Sequence, residues 1–379
     1  DSMVYHLKDA RYFAEHHSIG HIPYDSTNAL WPYLVEMYFV IALIFGRYEL
    51  AGVFHVSFAL AGAAAIYAFS KRFFTRQSGF LASTLFFFIP GIIILAVQTY
   101  VDLGLVFYAF MAVYAYSIWA QTKQTKWAAL SGAMCGLGLS VKYFGIVIPF
   151  ILAFYFLVKR NIKSFLLFCV VALAASILWY VRQYIVFGNP VFPFLSQVFG
   201  NSGLDPQVIE GLSEKTIRST YGAGLGVKNF ILFWWQIIFS PKKFGGEHIG
   251  PIILILPFSV GFLRGMDRNV KRILIFSWVY FIAWFFASQN LRFLFPIAPF
   301  LAIIAAYLVL RIAAYSKMTK RLILGVCGIY LMGCFAFCFY HVRDTIGVVC
   351  GLESKESYLR RNERSFEVSS YINTQAPKR

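Results

Sequence analysis

The feature that most constrains this chain is a series of apolar stretches, each about 15 to 24 residues long, separated by short basic loops. A helix needs about 20 apolar residues to cross the hydrocarbon core of a bilayer, where the backbone groups must pair internally. Only 13% of the 379 residues are charged, against roughly 25% in soluble domains. The pattern therefore predicts an all-α fold, a polytopic bundle of transmembrane helices.

The apolar stretches predict about ten membrane spans. The segment 31–45, which precedes them, is also apolar, but it contains Glu36 and ends at Gly46 and Arg47. We interpret it as an interfacial helix, and an additional span is the alternative. The ten predicted spans are 50–70, 78–97, 102–120, 127–141, 144–158, 164–187, 250–263, 273–288, 293–310 and 322–340.

Basic residues occupy every second loop between these spans. Sixteen cations lie in such loops, together with a single acid, Asp267. By the positive-inside rule these loops face the cytoplasm, so both chain ends and the other loops, with sixteen of the seventeen carboxylates, face outward. The net charge of +17 is therefore a topology signal and does not predict nucleic-acid binding. The cations are Lys71, Arg72, Arg76, Lys123, Lys126, Lys159, Arg160, Lys163, Arg264, Arg268, Lys271, Arg272, Arg311, Lys317, Lys320 and Arg321.

The predicted domain organisation has three parts. Residues 1–48 form an external loop with interfacial helices, residues 49–340 form the transmembrane domain, and residues 341–379 form an external tail. Within the transmembrane domain, the external loop 188–249 contains a glycine hinge followed by a Trp-rich interfacial helix at 228–239, and such a loop is able to close over a substrate. The chain begins without Met, so we expect a first span to precede it, and truncation of the tail remains an alternative.

Carboxylates on the external side are candidate catalytic groups. Asp1 opens a segment that continues through Tyr5 and His6, and Asp102 stands at the external end of a predicted span. A carboxylate at the outer surface is able to act as general base toward a sugar hydroxyl, and an ionisable group at a span end is costly unless it is paired or functional. The alternatives are a solvated surface charge for Asp1 and a helix N-terminal carboxylate for Asp102.

Two cations stand in external turns, where the positive-inside rule does not place them. Lys142 lies between two predicted spans, and Arg292 lies at the start of another. Both positions favour an anionic partner, and a phosphate at the membrane surface suits an Arg fork and a Lys point charge. Snorkelling toward lipid headgroups is the alternative.

Metal and nucleotide motifs are weak in this sequence. Four histidines, His6, His16, His17 and His21, share the first external segment, and together with Asp1 or Asp102 they allow a divalent metal site, although the spacing matches no known ligand pattern. The glycine-rich segments lack the spacing of phosphate-binding loops. The six cysteines show neither zinc spacing nor a disulfide framework. A sugar nucleotide donor is therefore not indicated, whereas a lipid-linked donor remains compatible with the sequence.

Several short segments, taken in order, resemble one family. The chain is similar to phospholipid-carrier-dependent glycosyltransferases of the GT-C superfamily, relatives of protein O-mannosyltransferases and of the lipid A aminoarabinose transferase. Each segment is weak alone, but their order along most of the chain and the matching topology carry the resemblance. The segments are 1–7, 32–37, 100–103, 142–145, 188–194, 250–251 and 290–296.

The resemblance implies a function and a set of roles. It implies an inverting transfer from a polyprenyl-phosphate sugar to an acceptor glycan, lipid or protein on the outer face of a bacterial cytoplasmic membrane. Asp1 would deprotonate the acceptor, and Asp102 would organise the site or a metal. Lys142 and Arg292 would contact the lipid phosphate, and Tyr5 and His6 would contribute to substrate binding.

The sequence also departs from the family and leaves other functions open. Many members carry an acidic pair at the loop aspartate, whereas Ser2 follows Asp1 here, so a base directly upstream of Asp1 is the alternative. Members often have a larger external C-terminal domain than residues 341–379. A transporter or flippase of a lipid-linked or anionic substrate is the main alternative, because intramembrane charges also mark translocation paths. A scaffold without catalysis would leave the charged residues scattered.

Overall fold

The described part of the chain consists of helices joined by turns and irregular segments. The structure is a computed structural model, which describes residues 2–22, 31–200, 207, 209–211 and 221–375. Within these ranges there are α-, 3-10 and π-helical segments and no β-strand. The predicted fold class, an all-α polytopic bundle, is confirmed.

Between residues 34 and 187, consecutive α-helices are separated by at most seven residues. The chain forms two compact units, Asp1–Gly328 and Ile329–Arg379, and the boundary falls within one long helix, α15 Lys317–Val349. The helices that precede it are α1 Leu7–His16, α2 Leu34–Ile44, α3 Tyr48–Phe73, α4 Arg76–Phe87, α5 Pro90–Ala96, α6 Asp102–Thr122, α7 Thr125–Leu139, α8 Val147–Val158, α9 Ile162–Phe187, α10 Ser196–Phe199, α11 Val227–Phe239, α12 Ile255–Phe258, α13 Arg268–Ala287 and α14 Ala298–Ala313. Two shorter helices, α16 Lys355–Asn362 and α17 Phe366–Thr374, follow α15.

Within the ranges that the structure describes, six helical segments are long and apolar enough to cross a membrane. They are α3, α6, α9, α13, α15 and the segment Leu291–Ala313, in which a 3-10 turn leads into α14. A seventh span results if α4 and α5, which meet at an angle of 65°, are counted together. The other three predicted spans correspond to shorter helices at 125–139, 143–158 and 251–262, so the total of ten stays a prediction.

The bend between α4 and α5 has a local cause. The sequence pattern predicted one span over 78–97, but α4 ends at Phe87 and α5 begins at Pro90. Proline has no N–H and disfavours helical geometry in the residue before it, and Ile89 is accordingly extended. The N–H of Gly91 then donates to the carbonyl of His248 at 2.6 Å, which ties the bend to a distant loop.

α7 and α9 pack closely against each other. Gly132 and Gly136 face the backbone carbonyls of Phe168 and Ala172, and a methyl group on either glycine would collide with them. Small residues spaced by four allow this approach, as they do in many membrane helix pairs. The packing holds the end of α7 in place, and Lys142 lies three residues after that end.

The first segment of the chain packs on the bundle through an apolar cluster. Phe13, Ile22, Tyr33 and Trp179 are buried together. Arg182 on α9 fixes the segment further, because its guanidinium donates to the backbone carbonyls of residues 19 and 20 at 2.6 and 2.9 Å. The 31–45 segment contains a helix, α2, as predicted, but its Glu36 side chain is buried instead of facing the surface. Whether α2 lies at the membrane interface stays a prediction.

The second unit consists of the remainder of α15, followed by α16 and α17. α16 begins at a serine cap, since the Ser354 hydroxyl accepts from the N–H of Ser357 at 3.1 Å. Exposed ion pairs lie on the surface of α16, including Arg360 with Glu356 at 3.0 Å. Such pairs contribute little stability, so they do not define a site.

Candidate active site

Asp102 is the centre of a buried charge cluster. It is the first residue of α6, and its side chain is 1% exposed. His55 on α3 holds the turn before it: His55 Nδ1 lies 2.6 Å from the carbonyl oxygen of Gln98, and His55 Nε2 accepts from the N–H of Leu103 at 3.3 Å. These two bonds require a neutral imidazole with its proton on Nδ1. They fix the position from which Asp102 projects.

Lys142 is the first partner of Asp102. Its ammonium donates to Asp102 Oδ1 at 2.8 Å, and the lysine side chain is 9% exposed. Lys142 follows the end of α7 in an extended conformation, which turns its side chain toward α6. The ammonium also lies 5.1 Å from the centre of the Phe293 ring. Burial lowers the pKa of Lys142, although the Asp102 carboxylate opposes that effect.

Arg292 completes the cluster from a third element. It is the second residue of the 3-10 turn Leu291–Ile297, and the capping side chain of Asn290 accepts from its N–H at 3.1 Å. Its guanidinium lies 4.0 Å from Asp102 Oδ2, 3.3 Å from Glu247 Oε1 and 5.1 Å from the Tyr100 ring centre. The cluster therefore alternates in charge, with a cation between two carboxylates.

Glu247 reaches the cluster from a loop whose backbone conformation favours glycine at two positions. Gly245 and Gly246 precede it with φ of +107° and +93°, a region that other residues rarely adopt. A methyl group at Gly245 would also lie 2.8 Å from the Glu247 carboxylate. Burial raises the pKa of Glu247, and the neighbouring Arg292 guanidinium opposes this shift.

Tyr5 and His6 lie beside the cluster in the π-helical turn Ser2–His6. His6 is fully buried, and its Nδ1 lies 2.7 Å from Glu36 Oε1. Burial lowers the pKa of His6 and raises the pKa of Glu36 to about 8, so burial favours the neutral form of each partner. Burial likewise raises the pKa of Tyr5, which keeps the phenol protonated.

A cavity of about 550 Å³ opens beside these residues. Lys142 and Arg292 supply its charges, and Tyr5 adds a phenol. The rest of its wall is mainly aromatic and aliphatic. A cavity with two cations among apolar side chains suits a ligand that joins a phosphate to a hydrocarbon chain. The remaining lining residues are Trp31, Tyr143, Phe144, Ile146, Val147, Tyr180, Val191, Phe194, Leu195, Ala287, Ser288 and Phe293.

The structure brings together most residues that the sequence selected. Lys142 and Arg292 flank Asp102, and Tyr5 lines the same cavity. His6 lies behind it, paired with Glu36. Asp1, the predicted general base, falls outside the described residues.

The histidine hypothesis receives no geometric support from the described residues. His16, His17 and His21 are exposed, whereas His6 is buried against Glu36. In the ranges that the structure describes, no three His, Cys, Asp or Glu side chains gather closely enough to hold a metal ion. A divalent metal site that includes Asp1 stays a prediction, because Asp1 lies outside the described residues.

Sequence reasoning missed three residues of this region. Glu247 carried one signal, since it is an acid directly after two glycines in a loop that the sequence predicted to be external. Glu36 carried another, because a carboxylate inside an apolar stretch is costly unless paired. His55 carried none beyond being a histidine within a predicted span, and only the fold reveals that it holds the turn before Asp102.

Comparison of the sequence with protein families matches two families of membrane mannosyltransferases. The profile of the dolichyl-phosphate-mannose-protein mannosyltransferase family matches residues 32–181. That of the Alg9-like mannosyltransferase family matches residues 247–372. An uncharacterized Shigella flexneri protein is 30% identical over 185 residues, which is 46% of this chain and 90% of that protein.

Solved structures show the same fold. ArnT from Cupriavidus metallidurans bound to undecaprenyl phosphate aligns with a TM-score of 0.60 and 18% identity, covering 94% of this chain and 62% of that one. The Archaeoglobus fulgidus oligosaccharyltransferase in complex with Zn and sulfate aligns with a TM-score of 0.59 and 14% identity, covering 99% and 53%. The chain thus spans between about half and two thirds of the length of these structures.

Proposed function

Because the chain belongs to the GT-C superfamily of glycosyltransferases, related to protein O-mannosyltransferases and to ArnT, we propose that it is an inverting glycosyltransferase. It moves a sugar from a polyprenyl-phosphate donor to an acceptor on the extracytoplasmic face of a bacterial cytoplasmic membrane. The observation that carries this proposal is the cavity beside Asp102, in which Lys142 and Arg292 are the cations of an otherwise largely apolar wall.

The two cations suit the departing phosphate. When the bond between the sugar carbon and the phosphate oxygen breaks, negative charge develops on that oxygen, and preorganised cations stabilise it. If Asp102 and Glu247 are both ionised, they neutralise Lys142 and Arg292. Protonation of Glu247, whose pKa burial raises, gives the cluster a net positive charge. The site is therefore able to adjust its charge to an incoming phosphate.

Asp102 acts in this proposal as a positioning residue. Its carboxylate is buried and already bonded to Lys142, so it is a poor acceptor for a proton from a sugar or protein hydroxyl. It instead holds Lys142 and Arg292 toward the cavity. Asp1 remains the proposed general base: it removes the proton from the acceptor hydroxyl, whose oxygen attacks the sugar carbon from the side opposite the leaving phosphate.

Arg292 substitutions provide the first test. Arg292→Ala should weaken donor binding or slow cleavage of the sugar–phosphate bond, and Arg292→Lys should restore only part of the loss, because Lys lacks the bidentate fork. Transfer from a polyprenyl-phosphate sugar and donor affinity are measured separately on the purified full chain. Arg321→Ala, which removes an exposed arginine, is the matched control. Normal kinetics for Arg292→Ala would show that Arg292 does not contact the donor phosphate.

A second test separates transfer from transport. Asp1→Asn should abolish transfer while donor binding stays largely intact, and unchanged turnover would remove Asp1 from the mechanism. A transporter or flippase would move the lipid-linked sugar across a vesicle membrane without forming any glycosidic product. Mass spectrometry of lipid-linked sugars and surface glycans, with and without the gene, identifies the sugar and the acceptor.

A further inference from the structure

A second cavity, of about 500 Å³, lies far from the candidate active site. The span Leu291–Ala313 carries Arg292 near its beginning and Arg311 near its end. At about 1.5 Å of rise per residue these two arginines stand on the order of 30 Å apart, close to the thickness of a hydrocarbon core. The second cavity is therefore a separate site at the other end of the bundle. Its lining residues are Phe74, Thr75, Ser78, Asp267, Tyr307, Leu310 and Arg311.

Two hydrogen-bond donors of this cavity are buried without a partner. Arg311 uses Nη2 to donate to the carbonyl of Arg264 at 3.3 Å, but its Nη1 has no hydrogen-bond partner within the described part of the chain. The hydroxyl of Ser78, a residue that is 2% exposed, likewise has no hydrogen-bond partner among the described residues. Buried donors are normally satisfied, so two of them among the residues of one cavity point to a ligand with acceptor atoms.

The position of Ser78 at a helix N-terminus also favours an anionic ligand in this cavity. It lies in the first turn of the twelve-residue helix α4, where the Thr75 hydroxyl accepts from the N–H of Ser78 at 3.0 Å. The N-terminus of a helix carries a partial positive charge and favours phosphate. Arg311 faces the same cavity from the C-terminal end of α14. An anionic oxygen between them would meet a guanidinium, a hydroxyl and a helix N-terminus.

The cavity also contains a carboxylate that Arg311 does not neutralise. Asp267 caps α13, because its Oδ1 accepts from the N–H of Asn269 at 2.6 Å. Among the described residues, no ion pair within 4 Å joins Asp267 to Arg311. A cation and an anion thus share one cavity without pairing with each other. This arrangement is complementary to a ligand that carries both charges.

We propose that this cavity binds a phosphoethanolamine group, either the headgroup of a zwitterionic phospholipid or a soluble phosphodiester of the same chemistry. The phosphate oxygens accept from Arg311 and Ser78, and the ammonium lies against Asp267. Phe74 and Leu310 provide the apolar wall for the part of a lipid next to its headgroup. The site is independent of the proposed transfer reaction.

Native mass spectrometry of the full chain in detergent tests this site with three probes: phosphatidylethanolamine, phosphatidylglycerol of the same acyl chains, and soluble glycerophosphoethanolamine. The wild type should retain phosphatidylethanolamine at least about tenfold better than phosphatidylglycerol, since a charged hydrogen bond corresponds to roughly that factor. Arg311→Gln should lower the retention of both lipids, because both carry the phosphate that Arg311 binds. Asp267→Asn keeps the helix cap and should bring the two lipids to similar retention. Arg321→Gln, a loss of one exposed cation, should change nothing.

The outcomes separate the sources and decide the proposal. Displacement of the lipid by glycerophosphoethanolamine at equal concentration assigns a soluble ligand to the same site, and no displacement assigns the lipid. Equal retention of both lipids by the wild type overturns the proposal, as does an unchanged preference in Asp267→Asn. Unchanged retention of both lipids by Arg311→Gln also overturns it. If Arg311→Gln does not fold, Ser78→Ala replaces it, and unchanged retention of both lipids by that variant has the same meaning.

Discussion

The buried pair of Asp102 and Lys142 makes a strong prediction about stability. Asp102→Asn preserves the side-chain shape but removes the charge that lies 2.8 Å from the Lys142 ammonium, and the two side chains are 1% and 9% exposed. Removing one partner of a buried ion pair costs about 3–5 kcal/mol, because the other charge stays buried without compensation. Glu247 lies next to Arg292 and so compensates that cation instead. We expect the free energy of unfolding to fall by about 3–5 kcal/mol.

The double variant Asp102→Asn, Lys142→Met tests the cause of that loss. With both charges removed, a flexible apolar side chain occupies the space, and such replacements are often neutral or stabilising. The double variant should therefore recover most of the lost stability, which corresponds to a coupling of at least about 2 kcal/mol. Transfer activity should remain low in both variants, because the cluster that faces the phosphate is lost.

Denaturant titration of the purified protein in detergent, followed by helical circular dichroism, measures these free energies. The matched control combines Asp102→Asn with Lys126→Met, which removes an exposed lysine and should recover nothing. If the loss in the double variant equals the sum of the two single losses, the pair carries no coupling energy. The interpretation of Asp102 as a residue that holds Lys142 through its charge would then be wrong.

Three further perturbations have definite expected results. Gly136→Ala should lower the free energy of unfolding by about 1–3 kcal/mol in a thermal melt, because the new methyl collides with the Ala172 carbonyl, and Gly325→Ala, at a glycine with open space around it, is the control. Arg182→Gln should speed limited proteolysis near residue 20, since Arg182 donates to two backbone carbonyls there; an unchanged digestion rate would contradict this. Between pH 4.5 and about 8, folded Glu36 keeps a proton that the unfolded chain releases, so the stability of the wild type should fall relative to Glu36→Gln as pH rises, and parallel pH profiles would refute the shift.

Most helices and several site residues were predictable from the sequence. The Trp-rich helix predicted at 228–239 is present as the helix Val227–Phe239, and its position at the membrane interface stays a prediction. Lys142 and Arg292 were recognised because their positions violate the topology rule, and a rule violation is visible without any coordinates. The pairing of these cations with Asp102 was not predictable, since 40 residues separate Asp102 from Lys142 in the chain.

The break at Pro90 shows where hydropathy alone is insufficient. The apolar content of 78–97 is continuous, so a hydropathy pattern predicts one span, whereas backbone geometry at Ile89 and Pro90 gives two helices at 65°. Pro90 itself indicates a break in the helix. Whether the helix bends there depends on whether neighbouring groups form hydrogen bonds with the backbone groups that the proline leaves unpaired. Here Gly91 finds the carbonyl of His248, and the bend persists.

By itself, the sequence determined the environment and the class of structure, because bilayer thickness and unsatisfied backbone groups leave a chain of this hydropathy few solutions besides a helical bundle. It also marked charged residues that lie at helix ends. Only the tertiary structure decided which charges meet, that Glu247 and Glu36 lie beside them, and that Arg311 and Asp267 share a second cavity. The physical reason is that charge pairing depends on distances of a few ångströms across different helices, which hydropathy and spacing along a single chain do not encode.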